Sequence, residues 1–304
     1  MFDIIIIGGG MAGMTSALYS LRDNKSVLIL EKEAVGGQIA KSPRVENYPT
    51  IKQISGMELA DQLFEQIIDL GVKFELENVK KITKEGNIFN VTTDYKTYQS
   101  KAVIIATGAK PRTLGVENED KLIGNGVYYC AICDGPFYAG QEVVLIGDAN
   151  SAMQYALMLS SYCKKVKMMT LFDHLCGEQN LQDEVKNSDK IEIYHNMQTL
   201  RFVGNEKLEG VIFLDKNTGK EVRFDCPAVF VAIGQKPDNK IFEDFADLDK
   251  NGYLIADEKC STKTPGLYVA GDCRQKQIRQ VTTAIGDGTI ASINACRYVD
   301  SIKD

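Results

Sequence analysis

FDIIIIGGGMAG, residues Phe2–Gly13, decides the fold. It is a short β-rich run that ends in glycine and leads into Met11–Arg22, a segment of small residues with helical character. Glycines stand at Gly8, Gly10 and Gly13, the spacing Gly-x-Gly-x-x-Gly between a strand and a helix. The first permits a tight turn, the second lets backbone approach a pyrophosphate, and the third lets helix and strand pack closely. The pyrophosphate would lie at the helix N-terminus. A second β-rich run, Ser26–Leu30, follows, and Glu31 stands 18 residues beyond Gly13. A carboxylate there can accept from an adenosine ribose hydroxyl.

The same pattern returns once. Glu142–Asp148 reads EVVLIGD, Asn150–Ser160 has helical character, and Lys165–Leu171 is β-rich again. Two βαβ units predict an α/β protein with two Rossmann-like domains of the three-layer ββα kind, each with a parallel sheet. Val72–Tyr98 alternates apolar and polar residues around Gly86-Asn87, which predicts antiparallel strands, a meander. Lys101–Thr107, Val229–Gly234 and Thr264–Asp272 read as further strands, and Thr282–Tyr298 as a terminal helix. The Pro/Gly stretches Lys110–Gly115 and Gly234–Asn239 mark boundaries. The expected order is a first domain (1–112), an inserted second domain (113–240) and a return to the first (241–304).

Composition excludes several classes. A chain of 304 residues with 44% hydrophobic and 25% charged content is an ordinary globular protein rather than a disordered one. A net charge of −6 disfavours nucleic acid as the main partner, because phosphate binding needs clustered Lys and Arg. No membrane span or signal-type segment is visible, so a cytoplasmic protein is expected. Eight cysteines are too few for a secreted disulfide scaffold, and two histidines, His174 and His195, argue against a His-rich metal site.

Three later segments favour FAD over NAD: Val35–Gln38 (VGGQ), Ala106–Ala109 (ATGA) and Gly271-Asp272. Each ends or follows a strand with small residues, and Asp272 could bond a ribityl hydroxyl or a phosphate-bound water. Cys130 and Cys133 form a CxxC pair, which suits a dithiol/disulfide couple. Half a zinc site is the alternative, but it needs a second ligand pair. The other six cysteines are expected to be buried small hydrophobes. Asp134, directly after the pair, could exchange protons with a departing thiolate.

The order of the FAD segments, ENYP (Glu46–Pro49), ATGA, CAICD and GD…RQ (Gly271–Gln280) resembles the low-molecular-weight thioredoxin reductases over essentially the whole chain. The resemblance implies a homodimeric FAD enzyme with thioredoxin as substrate. It implies FAD contacts at Gly8, Gly10, Met11, Ala12, Gly13, Glu31, Gly37, Gln38, Asn47, Val79, Thr107, Gly108, Gly271 and Asp272. Asn47 should face the flavin, and Arg279, Gln280 and Val281 should lie along its ring. Cys130 should attack thioredoxin, with Cys133 nearer the flavin and Asp134 as its acid/base.

The second glycine motif departs from the NADPH-using relatives. Ala149 replaces the glycine that admits a pyrophosphate, and Asp148 puts a carboxylate beside it. The positions that hold phosphate-gripping His and Arg residues in those relatives are here Thr170, Leu171, Phe172 and Cys176. No guanidinium remains for bidentate phosphate binding. The chain is therefore most similar to the ferredoxin-dependent flavin thioredoxin reductases. The energetics permit that donor: thioredoxin lies near about −270 mV and plant-type ferredoxin near about −400 mV. A gap of ~130 mV over two electrons is worth about 6 kcal/mol. An acidic ferredoxin would seek cations near the flavin, for which Lys41, Arg44, Lys276 and Arg279 are candidates, with ordinary solvated charge as the alternative. Three other readings stay open: an NADPH-dependent thioredoxin reductase with an atypical site, a dithiol oxidase on the same scaffold, and a non-enzymatic redox sensor.

Overall fold

A computed structural model of the chain describes residues 1–42 and 45–302. The first elements are β1 (Phe2–Ile7), α1 (Met11–Arg22), β2 (Val27–Glu31), α2 (Gly56–Asp69), β3 (Lys73–Leu76), β4 (Val79–Glu85), β5 (Ile88–Thr93) and β6 (Thr97–Ile105). Next come β7 (Lys110–Pro111), α3 (Glu119–Leu122), β8 (Val127–Tyr128), α4 (Ala131–Asp134), β9 (Glu142–Ile146), α5 (Asn150–Tyr162), β10 (Lys165–Met169) and α6 (Gln179–Asn187). The chain continues through β11 (Ile191–Tyr194), β12 (Met197–Gly204), β13 (Leu208–Asp215), β14 (Lys220–Asp225), β15 (Val229–Val231) and β16 (Gln235–Lys236). It ends with β17 (Leu267–Val269) and α7 (Val281–Ser301).

Two compact units result, Met1–Lys110 with Lys236–Asp304, and Pro111–Gln235. The changes of unit fall at 110/111 and 235/236, beside the Pro/Gly stretches from which 112 and 240 were expected.

In the first unit β3, β2, β1 and β6 lie side by side and parallel, and β17 joins β6 in parallel. The same strand β6 also pairs antiparallel with β5, and β5 with β4. Its outer half, Thr97–Ser100, serves the meander, while Val103–Ile105 takes β17. One long strand therefore belongs to both sheet layers. The sequence reading split it at Lys101 and also assigned Lys73–Leu76 to the meander; instead β3 pairs parallel with β2. The reason is the crossover: α2 carries the chain across one face, and such a connection returns parallel.

Ile4, Ile5 and Ile6 are fully buried, as a strand covered on both faces must be. Helices α1 and α7 cover one face and meet through small residues: Ser16 donates to the Gly288 carbonyl at 3.1 Å, and the Ser20 and Ser292 hydroxyls are 2.8 Å apart.

The second unit repeats the plan with β11, β10, β9, β15 and β8 all parallel. A separate antiparallel layer, β12–β13–β14, is the second β layer of the three-layer ββα plan, though its strands were not assigned in the sequence. Both units are therefore Rossmann-like α/β domains.

Gly13 is where α1 presses on the turn: a Cβ there would stand 1.9 Å from the Gly8 carbonyl oxygen. We expect Gly13→Ala to cost about 2–3 kcal/mol of stability by overpacking, read as a lower denaturation midpoint; an unchanged midpoint would refute the contact.

Candidate functional site

At the first glycine turn, Gly8 has φ +113° and its amide donates to the Leu30 carbonyl at 2.8 Å. The turn thus hooks onto the end of β2. Gly10 caps α1, and a Cβ there would meet nothing nearer than the Gly36 carbonyl oxygen at 3.9 Å. Glu31 ends β2 and reaches over the turn: one carboxylate oxygen accepts from the Gly9 amide at 2.7 Å, the other from Glu33 at 2.8 Å. A carboxylate has about four lone-pair sites, so it can still accept from a ribose. Gly36 donates to the Gly9 carbonyl, which brings Gly37 beside Gly10.

Gly271-Asp272 follows β17 and packs on the start of α1, where a Cβ on Gly271 would lie 2.8 Å from that of Ala12. Oδ1 of Asp272 is buried without a hydrogen-bond partner. Burial pushes its carboxyl above the ordinary value, against the opposing pull of Lys276 and Arg279. The bare Gly10 backbone, the poised Glu31 and this orphaned oxygen fit a dinucleotide with a polyhydroxyl arm, as FAD has.

Nearby, Thr107 donates to Asn239 at 3.2 Å, and Gly108 has φ +68°. The Gln38 amide donates to the Ala109 carbonyl. Asn47 donates to the Gln280 side chain at 3.2 Å, and Gln280 caps α7 through Thr283, which makes Val281 the first residue of that helix. Val79 opens β4, buried in the antiparallel layer, and Met11 is the first residue of α1.

The expected cationic patch is corrected. Lys276 is only 10% exposed; its ammonium lies 3.0 Å from Asp287 and 3.8 Å from Asp272. Arg279 stacks 3.9 Å over the Tyr253 ring and donates to the Asp272 and Arg274 carbonyls. Lys41 is exposed, and Arg44 lies outside the described residues. Asp287, missed in the sequence, also accepts from the Gly271 amide at 3.1 Å and so holds the turn that carries Asp272.

The strand register matches the second turn to the first, residue by residue. Gly147 donates to the Met169 carbonyl as Gly8 does to Leu30, so Thr170 occupies the place of Glu31 and Ala149 that of Gly10. Thr170 is fully buried and its hydroxyl is 2.7 Å from the Phe172 carbonyl and 2.8 Å from His195 Nδ1. Leu171 and Phe172 are 45% and 47% exposed. Cys176 is exposed and donates its amide to the Asp148 carbonyl at 2.7 Å, contrary to the expectation that all six remaining cysteines are buried. Asn150 binds Glu178 from both ends of its amide, which sets a second carboxylate near the start of α5.

Cys130 and Cys133 are joined as a disulfide across the single turn α4. Among the described residues no group of three or more His, Cys, Asp or Glu is placed to hold a metal. The other buried thiols are raised by desolvation, Cys226 and Cys260 to about 12, so they are inert at neutral pH. Asp134 is 8% exposed, and burial alone raises its carboxyl from 3.8 to about 7. That value suits a group that gives and takes protons near neutrality.

Two tests follow from this geometry. Gly10→Ala should leave the denaturation midpoint near wild type yet lower FAD affinity at least tenfold, measured by titrating apoprotein; equal affinity would refute the approach of pyrophosphate to Gly10. Folded Asp134 keeps its proton between pH about 4 and about 7, where the unfolded chain has lost it, so stability falls as pH rises through that window. Asp134→Asn should flatten that decline in melting experiments, and parallel slopes would show an ordinary carboxyl.

Residues 2–288 match the family model described as pyridine nucleotide-disulphide oxidoreductase. The thioredoxin reductase of Listeria monocytogenes is 36% identical over 305 residues, covering 100% of this chain and 96% of that one. The crystal structure of thioredoxin reductase from Streptococcus pyogenes has a TM-score of 0.96 at 38% identity over 99% of each chain. A ferredoxin-flavin thioredoxin reductase from Clostridium acetobutylicum has a TM-score of 0.54 at 28% identity, again over 99% of each. No helix among the described residues is long and apolar enough to cross a membrane. The chain belongs to the pyridine nucleotide-disulphide oxidoreductase family, as a flavin-dependent disulfide oxidoreductase.

Proposed function

We propose that this enzyme reduces the disulfide of thioredoxin with electrons from a reduced ferredoxin rather than from NADPH. The observation that carries the donor is the second glycine turn. A pyridine nucleotide there would meet the side chain of Ala149 where the first turn has bare backbone. Its phosphates would face the carboxylates of Asp148 and Glu178 at a helix N-terminus, where like charges repel. Beyond the strand it would find buried Thr170 and the apolar Leu171 and Phe172 instead of guanidinium groups. The likeness to the Clostridium acetobutylicum enzyme supports this donor, while the family name and the thioredoxin reductases of higher identity leave NADPH as the competing reading.

The substrate rests on the CxxC pair and on the relatives, which are thioredoxin reductases over their full length. Bound FAD supplies the conversion between electrons delivered singly and the pair that a disulfide requires. The chain's own work is at the sulfurs. Two electrons and two protons convert the Cys130–Cys133 disulfide to a dithiol. Cys130, as thiolate, attacks a sulfur of the thioredoxin disulfide and expels the other. Cys133 then closes on Cys130 and releases thioredoxin as a dithiol. Asp134 exchanges a proton with Cys133. Each cycle oxidises two ferredoxins. The enzyme works as a homodimer in the cytoplasm.

Anaerobic flavin reduction separates the donors. Reduced ferredoxin should bleach the flavin, while NADPH and NADH at micromolar concentration should leave it oxidised. Bleaching by NADPH would overturn the donor. Failure of dithionite-reduced enzyme to reduce thioredoxin would overturn the substrate, whatever the donor.

A further inference from the structure

Strand β8, which delivers the chain to the redox pair, is two residues long and lies at the edge of its sheet, paired with β15 and, through the single bridge Val127–Ile123, with the residue after α3. So short a ladder holds the CxxC turn poorly by itself. The side chains around it supply what the ladder lacks. Glu119 in α3 is 2% exposed. Its carboxylate is satisfied by donors alone. One oxygen accepts from the Leu114 amide at 2.9 Å and the Tyr129 hydroxyl at 2.6 Å. The other accepts from the Gly115 amide at 2.7 Å and the Val116 amide at 3.4 Å. Tyr129 is the residue immediately before Cys130. Leu114–Val116 is the strap by which the chain enters this unit after 110/111.

We infer that Glu119 and Tyr129 are positioning residues for the Cys130–Cys133 couple: the buried carboxylate ties the side chain of the residue before Cys130 to the incoming strap and so fixes the start of the redox turn. Tyr128 braces the same turn from the opposite face. Its hydroxyl is 2.8 Å from that of Tyr138, just beyond the pair, and donates to Gly124 at 3.2 Å. A turn fixed at its start loses less chain entropy when the two sulfurs join, so the brace favours the disulfide over the dithiol. The proposal depends on disulfide chemistry alone, not on thioredoxin or on the electron donor.

The test is the equilibrium between disulfide and dithiol in the anaerobic holoenzyme, set by a glutathione redox buffer and read by thiol alkylation. Here two glutathiones reduce the enzyme disulfide and leave as oxidised glutathione. Tyr129→Phe should lower the constant for disulfide formation three- to tenfold. Glu119→Gln should do the same, and the double variant should be no worse than the worse single one, because each residue acts through the other. Leu122→Val, a core change in the same helix, controls for loss of stability and should leave the constant unchanged. If Tyr129→Phe keeps the wild-type constant, or shifts it no more than Leu122→Val at equal loss of melting temperature, the brace is structural only and the proposal fails. Tyr129→Phe keeps the ring and carries the test even if Glu119→Gln does not fold.

Discussion

The contact on which the rest depends is backbone against backbone. A Cβ on Gly8 would stand 2.3 Å from the Ala106 carbonyl oxygen, and one on Gly147 would stand 2.6 Å from that of Ala232. No side chain fits between turn and neighbouring strand, so the chain leaves the sheet abruptly and starts a helix with its free amides at the carboxyl edge. Parallel connections bring the parallel strands of each unit to end on its own carboxyl edge. In the first unit Glu31 stands there after β2, Thr107-Gly108 after β6 and Asp272 after β17; in the second unit the redox pair follows β8. The chemistry of each unit is collected by one steric rule before any specific side chain is considered.

The two sheets share an order, with β3-β2-β1-β6-β17 in one and β11-β10-β9-β15-β8 in the other. In register, β8 takes the place of β17, since Tyr128 pairs with Phe230 as Tyr268 pairs with Ile104. The redox turn therefore occupies, in the second unit, the place that Gly271-Asp272 occupies in the first. One edge position serves two purposes: a buried acceptor in the first unit and a reactive disulfide in the second. The adjacent glycine turn differs as well. Where Glu31 stands as an acceptor over bare backbone, Thr170 turns inward to Phe172 and His195. At this place the second unit turns a polar side chain into its own loops, where the first holds a carboxylate over the turn.

How much of this was legible follows from distance along the chain. The bounds of α1 could be read because three glycines and a run of small residues lie within one stretch. The CxxC pair is likewise local. Lys276 was misjudged because a lysine in sequence looks solvated, and its partner Asp287 lies on α7, where only packing brings the two within 3.0 Å. The Glu119–Tyr129 bond has the same character, as does the parallel pairing of β3, which alternation alone cannot separate from a meander. Cys176 is exposed because the loop after β10 bends back over the second turn, a path that no residue pattern near it announces.

The redox turn has to satisfy two opposed demands. Thiol–disulfide exchange needs reachable sulfurs, while a carboxyl that keeps its proton near neutrality needs a dry surrounding. A single helical turn reconciles them, because successive residues point in different directions. Ile132 is exposed and Cys133 half-buried, while Ala131 and Asp134 face inward. Within electrostatic reach of Asp134 stand Tyr128 and Tyr138, whose hydroxyls are bonded to each other. That mutual bond matters. A tyrosine hydroxyl donated to Asp134 would favour the anion and draw its carboxyl back toward the ordinary value. With the two hydroxyls occupied, desolvation is left as the only influence on Asp134, and it sets the carboxyl at about 7. The Tyr138 hydroxyl is directed to Tyr128, and that of Tyr128 to the Gly124 carbonyl.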